Sequence, residues 1–246
     1  KRLMAMGALV ASGTLLLAAC GSDDGDSGGS AAPPSASAVE SLGDNEGQLR
    51  VLAWPGYAED GTQYPKVDWV TPFEEETGCD VKVTTFNTSD ESFQQMQTGE
   101  YDVVSASGDA SRRLIFGDYV QPVNVDLVPS YEQIFDDLKD KPWNTVDGVE
   151  YGIPHGRGAN LLMYNTKVVK PAPTSWADTW AADSPYKGKV TAYDDSVYIA
   201  DAAVYLMKAQ PDLNITNPYE LDDTQFQAAV DLLTFTAHKV CGPQGI

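Results

Sequence analysis

Residues 101–115, YDVVSASGDASRRLI, hold the densest set of groups that could meet a ligand. A short apolar run ending at Val104 passes through Ser105, Ala106, Ser107 and Gly108, and opens at Asp109 into a helical pattern carrying Leu114 and Ile115. This predicts a buried strand, a tight turn and a helix start. Small side chains at the turn let a ligand approach the backbone closely. In an open α/β sheet, ligands sit just beyond the carboxyl ends of the strands. A second such edge is predicted at Trp54 and Tyr57, because QLRVLAW (48–54) reads as an apolar strand ended by Pro55-Gly56. Catalysis is not what these residues point to. The histidines, His155 and His238, have no cysteine or acid at metal-ligand spacing. Ser107-Gly108-Asp109 has no base partner nearby, and no G-x-S-x-G, P-loop or G-x-G-x-x-G motif occurs. The expectation is a protein that is not an enzyme and uses no cofactor or metal.

The elements that would position these edges follow in order. Residues 64–78 predict a helix with Val67, Val70 and Phe73 on one face and Gly78 as its C-cap. Residues 80–86 predict a strand, and 89–99 a helix with Ser89 as N-cap and Phe93 and Met96 turned inward. A further strand is predicted at 120–123. Strands alternating with helices predict a parallel sheet with crossover helices. Beyond it lie a polar helical stretch (126–140), a turn at Asp147-Gly148, the loop PHGRG (154–158) and a strand at 159–165. A short helix (176–182), a strand (189–193) and helices at 197–209 and 222–238 complete the pattern. In the 197–209 helix, Val197, Ala200, Val204 and Met207 recur at helical spacing. A second α/β unit therefore begins near Asn160.

The chain has 246 residues and a formal net charge of −20. That balance argues against nucleic acid or an anionic lipid surface as the main partner. It is compatible with a cationic ligand, although acidity more often serves solubility. No apolar run reaches the roughly 20 residues that span a bilayer. Cys20, Cys79 and Cys241 make no disulfide framework; Cys79 is either a free buried thiol or paired with Cys241 or another cysteine.

Lys1-Arg2, the apolar stretch 4–19 and Leu17-Ala18-Ala19-Cys20 have the shape of a secretory signal. Its end resembles the bacterial lipobox. That resemblance implies cleavage before Cys20, a diacylglycerol on its sulfur, and a membrane anchor. Residues 21–47 are rich in Gly, Ser, Ala, Pro and Asp, with Val39 and Leu42 as the only large apolar side chains. They predict a flexible tether. The organisation read from the sequence is a signal peptide at 1–19, lipidated Cys20 and tether at 20–47, one α/β lobe at 48–155 and a second at 156–246.

AWPGY (53–57), FEEETGCDVKV (73–83), YDVVSASGDASRRL (101–114) and TAYDDSVYIADAA (191–203) together resemble the substrate-binding proteins of polyamine-type ABC transporters. NLLMYNTK from Asn160 and TSWADTW from Thr174 support the resemblance, which runs from about residue 48 to about 239. It implies an α/β fold of the two-lobed, periplasmic-binding-protein-like (type II) kind. The lobes would be connected by a hinge near 155–161 and would close on the ligand. Family members continue well beyond the point, after Lys239, where the match fades, so the C-terminal part, with the return segments that would complete both lobes, is expected to be missing.

The resemblance also implies a site. Trp54 and Tyr57 match an aromatic pair, against the plainer reading of two core aromatics. Ser107 and Asp109 match a second loop, where Asp109 could equally be a helix cap. Asp195 matches a ligand carboxylate, with Asp194 as the alternative. Polyamine binders carry a Glu in place of Gly56, a second acid in place of Tyr198, an aromatic in place of Gly108 and a Trp in place of Arg157. A polyamine needs carboxylates at its ammonium ends and aromatic faces along its methylenes. Arg157, if not simply exposed, would suit a carboxylate. Two ligand readings follow: a polyamine such as spermidine or putrescine, or a zwitterion such as 4-aminobutyrate or a betaine. The implied role is an extracytoplasmic, lipid-anchored receptor on the outer face of the cell membrane. It would be a monomer, delivering its solute to a permease and its ATPase, with no nucleic-acid partner. A surface structural lipoprotein is the remote alternative.

Overall fold

A computed structural model of the protein describes residues 36–181, 183–186, 189–190 and 195–240. The expected signal segment, Cys20, the first part of the tether, Asp194 and Cys241 lie outside the described residues.

β1 (Gln48–Ala53) is the centre of a parallel sheet, with β2 (Asp80–Thr85) on one side and β3 (Val103–Val104) on the other. Leu52 at its end is fully buried against Phe86, Met96 and Leu114, which form the first core. The crossovers are α1 (Val70–Thr77) and α2 (Ser89–Met96), and α3 (Gly108–Phe116) leaves the end of β3. α1 closes as predicted: Gly78 adopts φ 71° and its N–H donates to the Glu74 carbonyl. It starts six residues later than its apolar spacing predicts. The Glu59 carbonyl takes the N–H groups of Trp69 and Val70, and Asp60 bridges Asp68, so the backbone up to Trp69 is committed to a loop. Val67 and Phe73 are consequently exposed.

The cap of α2 also differs. Thr88, not Ser89, is extended and accepts the Glu91 N–H on its side chain; Ser89 is the first helical residue and is fully buried. Residues 120–123 do not form a strand. Val123 instead donates to the Glu150 carbonyl, at the edge of a hairpin of β4 (Thr145–Val146) and β5 (Val149–Glu150). Asp147 and Gly148 turn that hairpin with φ of 51° and 79°, as their sequence predicts. The expected helix at 126–140 is broken into 3-10 turns at Val125–Leu127, Pro129–Gln133 and Asp136–Leu138. Pro129 supplies no N–H to continue a helix.

Residues 159–165 are irregular rather than a strand. No strand among the described residues lies beside them, and Leu161 and Met163 are exposed. α4 (Ala177–Trp180), α5 (Val197–Ala209) and α6 (Asp223–Val240) follow. The expected strand at 189–193 falls largely outside the described residues. α5 buries Ala200, Ala202, Ala203 and Leu206, which pack with Ile215 and Ala229 in a second core. Val204 and Met207, expected inside, are exposed: small residues are the ones turned toward α6.

The end of the expected tether is tied down. Asn124 Nδ2 donates to the Val39 carbonyl, and Asn45 Nδ2 to that of Thr77. Cys79 is free and half-buried. Among the described residues, no helix is long and apolar enough to cross a membrane, and no group of three or more His, Cys, Asp or Glu could hold a metal ion.

Candidate functional site

The N-termini of α2, α3 and α5 meet at one place. Helix N-termini present unmet N–H groups and a partial positive charge, so they attract oxygen ligands. Two carboxylates far apart in sequence fill this space. Asp109, in the first turn of α3, accepts the Ser107 hydroxyl on Oδ1 at 2.7 Å and the Ser196 hydroxyl on Oδ2 at 2.9 Å. Ser89 Oγ lies 2.8 Å from Ser107 Oγ and donates to Asp109 Oδ1 at 3.3 Å. Asp195 accepts the backbone N–H of Ser89 on Oδ2 at 2.9 Å and that of Val197 on Oδ1 at 3.1 Å. Asp195 therefore caps its own helix and bridges to α2. Ser89 and Ser196 are members of this network that sequence reading left out; Ser89 was legible only as a cap.

Beside this junction runs an open cleft of about 1500 Å³, lined among others by Trp54, Tyr57, Ser107, Gly108, Trp143, Arg157 and Tyr219. It is larger than an ordinary ligand pocket of about 300–1,000 Å³. Trp54 and Tyr57 sit on the tight turn after β1. The Tyr57 N–H closes on the Trp54 carbonyl at 3.0 Å, and Gly56 has φ 87°. A side chain at residue 56 would be strained, which is the physical reason a glycine stands there. Trp54 packs on Phe86 with ring centroids 4.5 Å apart, and Tyr57 stands 4.8 Å from the ring of His155.

Tyr219 is a cleft residue with no sequence signal. Its ring lies over Gly108, where an added Cβ would come within 2.8 Å of the ring, and its edge meets Trp143 at 5.8 Å. Burial pushes its hydroxyl pKa up, and the nearby Asp109 and Asp201 carboxylates push the same way. Burial likewise raises Asp201, against the hydrogen bond from Asn160 Nδ2 at 2.5 Å. Next to Tyr219, Glu220 pairs with the buried Arg112 of α3 at 2.8 Å; Arg112 also donates to the Pro142 carbonyl and lies over the Phe116 ring.

Two further predicted residues stand away from the Asp109–Asp195 junction, Arg157 on the wall of the cleft and Tyr198 outside it. Tyr198 faces Trp180 edge-on at 6.0 Å, in an aromatic group with Tyr205. Arg157 is 68% exposed and ion-paired with Asp137 at 3.1 Å.

The model of bacterial extracellular solute-binding proteins matches residues 68–236 of this chain. The spermidine/putrescine-binding periplasmic protein of Escherichia coli (strain K12) is 26% identical over 170 residues, covering 68% of this chain and 47% of that protein. Its counterpart in Salmonella typhimurium is 24% identical over 170 residues, again 68% and 47%. The chain thus spans about half the length of the curated relatives it matches. A solved structure of a protein assigned to a spermidine/putrescine ABC transporter in Listeria monocytogenes aligns with a TM-score of 0.53 at 17% identity, covering 79% of this chain and 56% of that one. The fold is accordingly α/β of the two-lobed, periplasmic-binding-protein-like (type II) kind.

Proposed function

The chain belongs to the family of bacterial extracellular solute-binding proteins, and from that premise we propose that it captures a small amine-bearing solute and hands it to an ABC permease. The solute is a polyamine of the spermidine or putrescine kind. The observation that carries this reading is the convergence of Asp109 and Asp195, each on its own hydrogen bonds, at one junction of helix N-termini beside a cleft carrying Trp54, Tyr57, Trp143 and Tyr219. Carboxylates pair with ammonium ends, and aromatic faces attract the cation by about 0.5–2 kcal/mol each. The Escherichia coli and Salmonella typhimurium relatives are named for this ligand class. Arg157, on the cleft wall, already has its charge met by Asp137, which favours the amine over a zwitterion such as 4-aminobutyrate.

Two separate hydrophobic cores support a division into lobes at 48–155 and 156–246, with the ligand between them. Binding and closing, not turnover, is the activity. The protein works outside the cytoplasm as a monomer, tethered to the membrane through a lipid on Cys20; a Cys20→Ser variant is expected to leave the membrane fraction. Calorimetric titration of the full chain with spermidine, putrescine, 4-aminobutyrate and glycine betaine tests the ligand. Saturable polyamine binding is expected, and selective binding of a carboxylate-bearing ligand overturns the reading.

A further inference from the structure

Tyr219 comes from the loop before α6 and ends on the first residue of α3. The atoms nearest the position of an added Cβ on Gly108 are Cζ of its ring at 2.8 Å and Cε1 and Cε2 at 3.0 Å, so the phenol end of the ring is what is seated there. No carbon fits between the two, and the missing side chain at residue 108 is what admits the ring. The seat is held from both sides. The Tyr219 N–H donates to Asn217 Oδ1 at 3.0 Å, and the adjoining Glu220 is tied to the buried Arg112 of α3 at 2.8 Å. The ring also meets Trp143 edge-on. Burial first, and then the charge of Asp109, raise the pKa of its hydroxyl, which puts that hydroxyl near the carboxylate. Tyr219, Gly108 and Ser107 line the cleft, and Asp109 lies behind them. A solute group bound for Asp109 therefore passes the phenol end of Tyr219. On the other side of the approach stands Ser107, whose hydroxyl donates to Asp109 at 2.7 Å and can turn away. Tyr219 cannot give way without leaving both Gly108 and Trp143.

We infer that Tyr219 is a specificity-determining residue: it narrows the approach to Asp109 so that an unsubstituted ammonium passes and an N-alkylated one does not. This rests on the amine reading above. Both kinds of ammonium carry the same charge, so attraction to the carboxylates does not separate them, and the discrimination comes from shape. A polyamine of the spermidine or putrescine kind meets the requirement, because its ends are primary amines and any secondary nitrogen lies within the chain.

The test is calorimetry on the full chain with putrescine and with N,N,N′,N′-tetramethylputrescine, which keeps both charges and one N–H on each nitrogen. The wild type is expected to prefer putrescine. Tyr219→Ala should shrink that preference about 10-fold, the effect of making room for a few carbon atoms in a fitted site. Comparing the ratio in the two proteins cancels the intrinsic difference between the amines. A tyrosine that only supports the fold would weaken both amines in equal proportion, down to loss of both, and that result overturns the inference. Should Tyr219→Ala fail to fold, Tyr219→Leu keeps apolar bulk beside Trp143 and withdraws the phenol end from Gly108. A reduced preference in the folded leucine variant supports the inference; an unchanged one overturns it. If putrescine binds the wild type but the ratio does not move in the variants, the inference fails and the amine reading stands. If the wild type binds neither amine, both fail.

Discussion

Asp109 and Asp195 meet at one junction but are held differently. Asp109 takes hydrogen bonds from the hydroxyls of Ser107, Ser89 and Ser196, neutral donors that can rotate away. Asp195 takes two backbone N–H groups that cannot. Asp109→Asn is therefore expected to cut polyamine affinity about 30-fold while barely moving the melting temperature. Asp195→Ala should lower both, with about 1 kcal/mol of stability lost as a helix cap. Calorimetry and thermal unfolding on the two variants separate the roles. Glu150 makes a different prediction. Burial pushes its carboxyl up from the ordinary glutamate value of 4.5, and Asp140 adds to this, against the hydrogen bond from Thr145. The folded state thus keeps a proton that the unfolded chain has already lost. Its contribution is most favourable below the ordinary glutamate range and declines as pH rises through the folded pKa. Glu150→Gln removes that slope, so urea titrations should show the variant gaining on the wild type as pH rises, and a pH-independent difference would contradict it. At this scale Asp109, Ser107, Trp54 and Tyr57 were legible because turn chemistry and strand edges are local. Tyr219 and Asp201 were not, because their place depends on contacts across the chain.

Elements were legible where local periodicity and local caps agree with packing. β1, β2, α3 and the Asp147-Gly148 hairpin lie where their patterns put them. Residues 64–69 and 120–123 departed because the outcome turned on distant partners, Glu59 and Asp60 for the first and Glu150 for the second, and 159–165 has no neighbouring strand among the described residues. The shift of the α2 cap from Ser89 to Thr88 gives a test that a one-residue error would miss. Thr88 satisfies the Glu91 N–H and nothing in the junction, so Thr88→Ala should cost about 1 kcal/mol of stability and leave ligand affinity alone. Ser89 caps nothing; its hydroxyl bridges Ser107 and Asp109. Ser89→Ala should therefore loosen Asp109 and alter affinity more than stability. Chemical denaturation and calorimetry on the pair read the two effects, and equal behaviour of both variants would mean the cap is misplaced.

At the scale of the described residues, two apolar cores flank a junction whose contacts are largely polar, the Trp143–Tyr219 edge contact aside. Ser89 meets Asp195, Asp109 meets Ser196, Arg112 meets Glu220, and the Tyr219 ring rests on Gly108. A junction of this kind is cheaper to open than a shared apolar core, which suits the solute release proposed above. In the closing motion proposed above, the Arg112–Glu220 pair would tune closure apart from the ligand. Arg112 is buried, held by the Pro142 carbonyl and stacked over Phe116, so it stays in place whether or not Glu220 is there. Glu220 is mostly exposed, and solvent screening limits the pair to under about 1 kcal/mol. Removing it should shift the balance between open and closed forms by that amount. The apparent affinity for every ligand then falls by the same small factor, about 3-fold. Glu220→Ala is thus expected to weaken spermidine and putrescine in equal proportion, with their affinity ratio unchanged, and to raise the radius of gyration of the unliganded protein in X-ray scattering. A changed ratio would mean that Glu220 touches the ligand directly, and the closing contact would then have to be sought at the Tyr219–Gly108 stack instead.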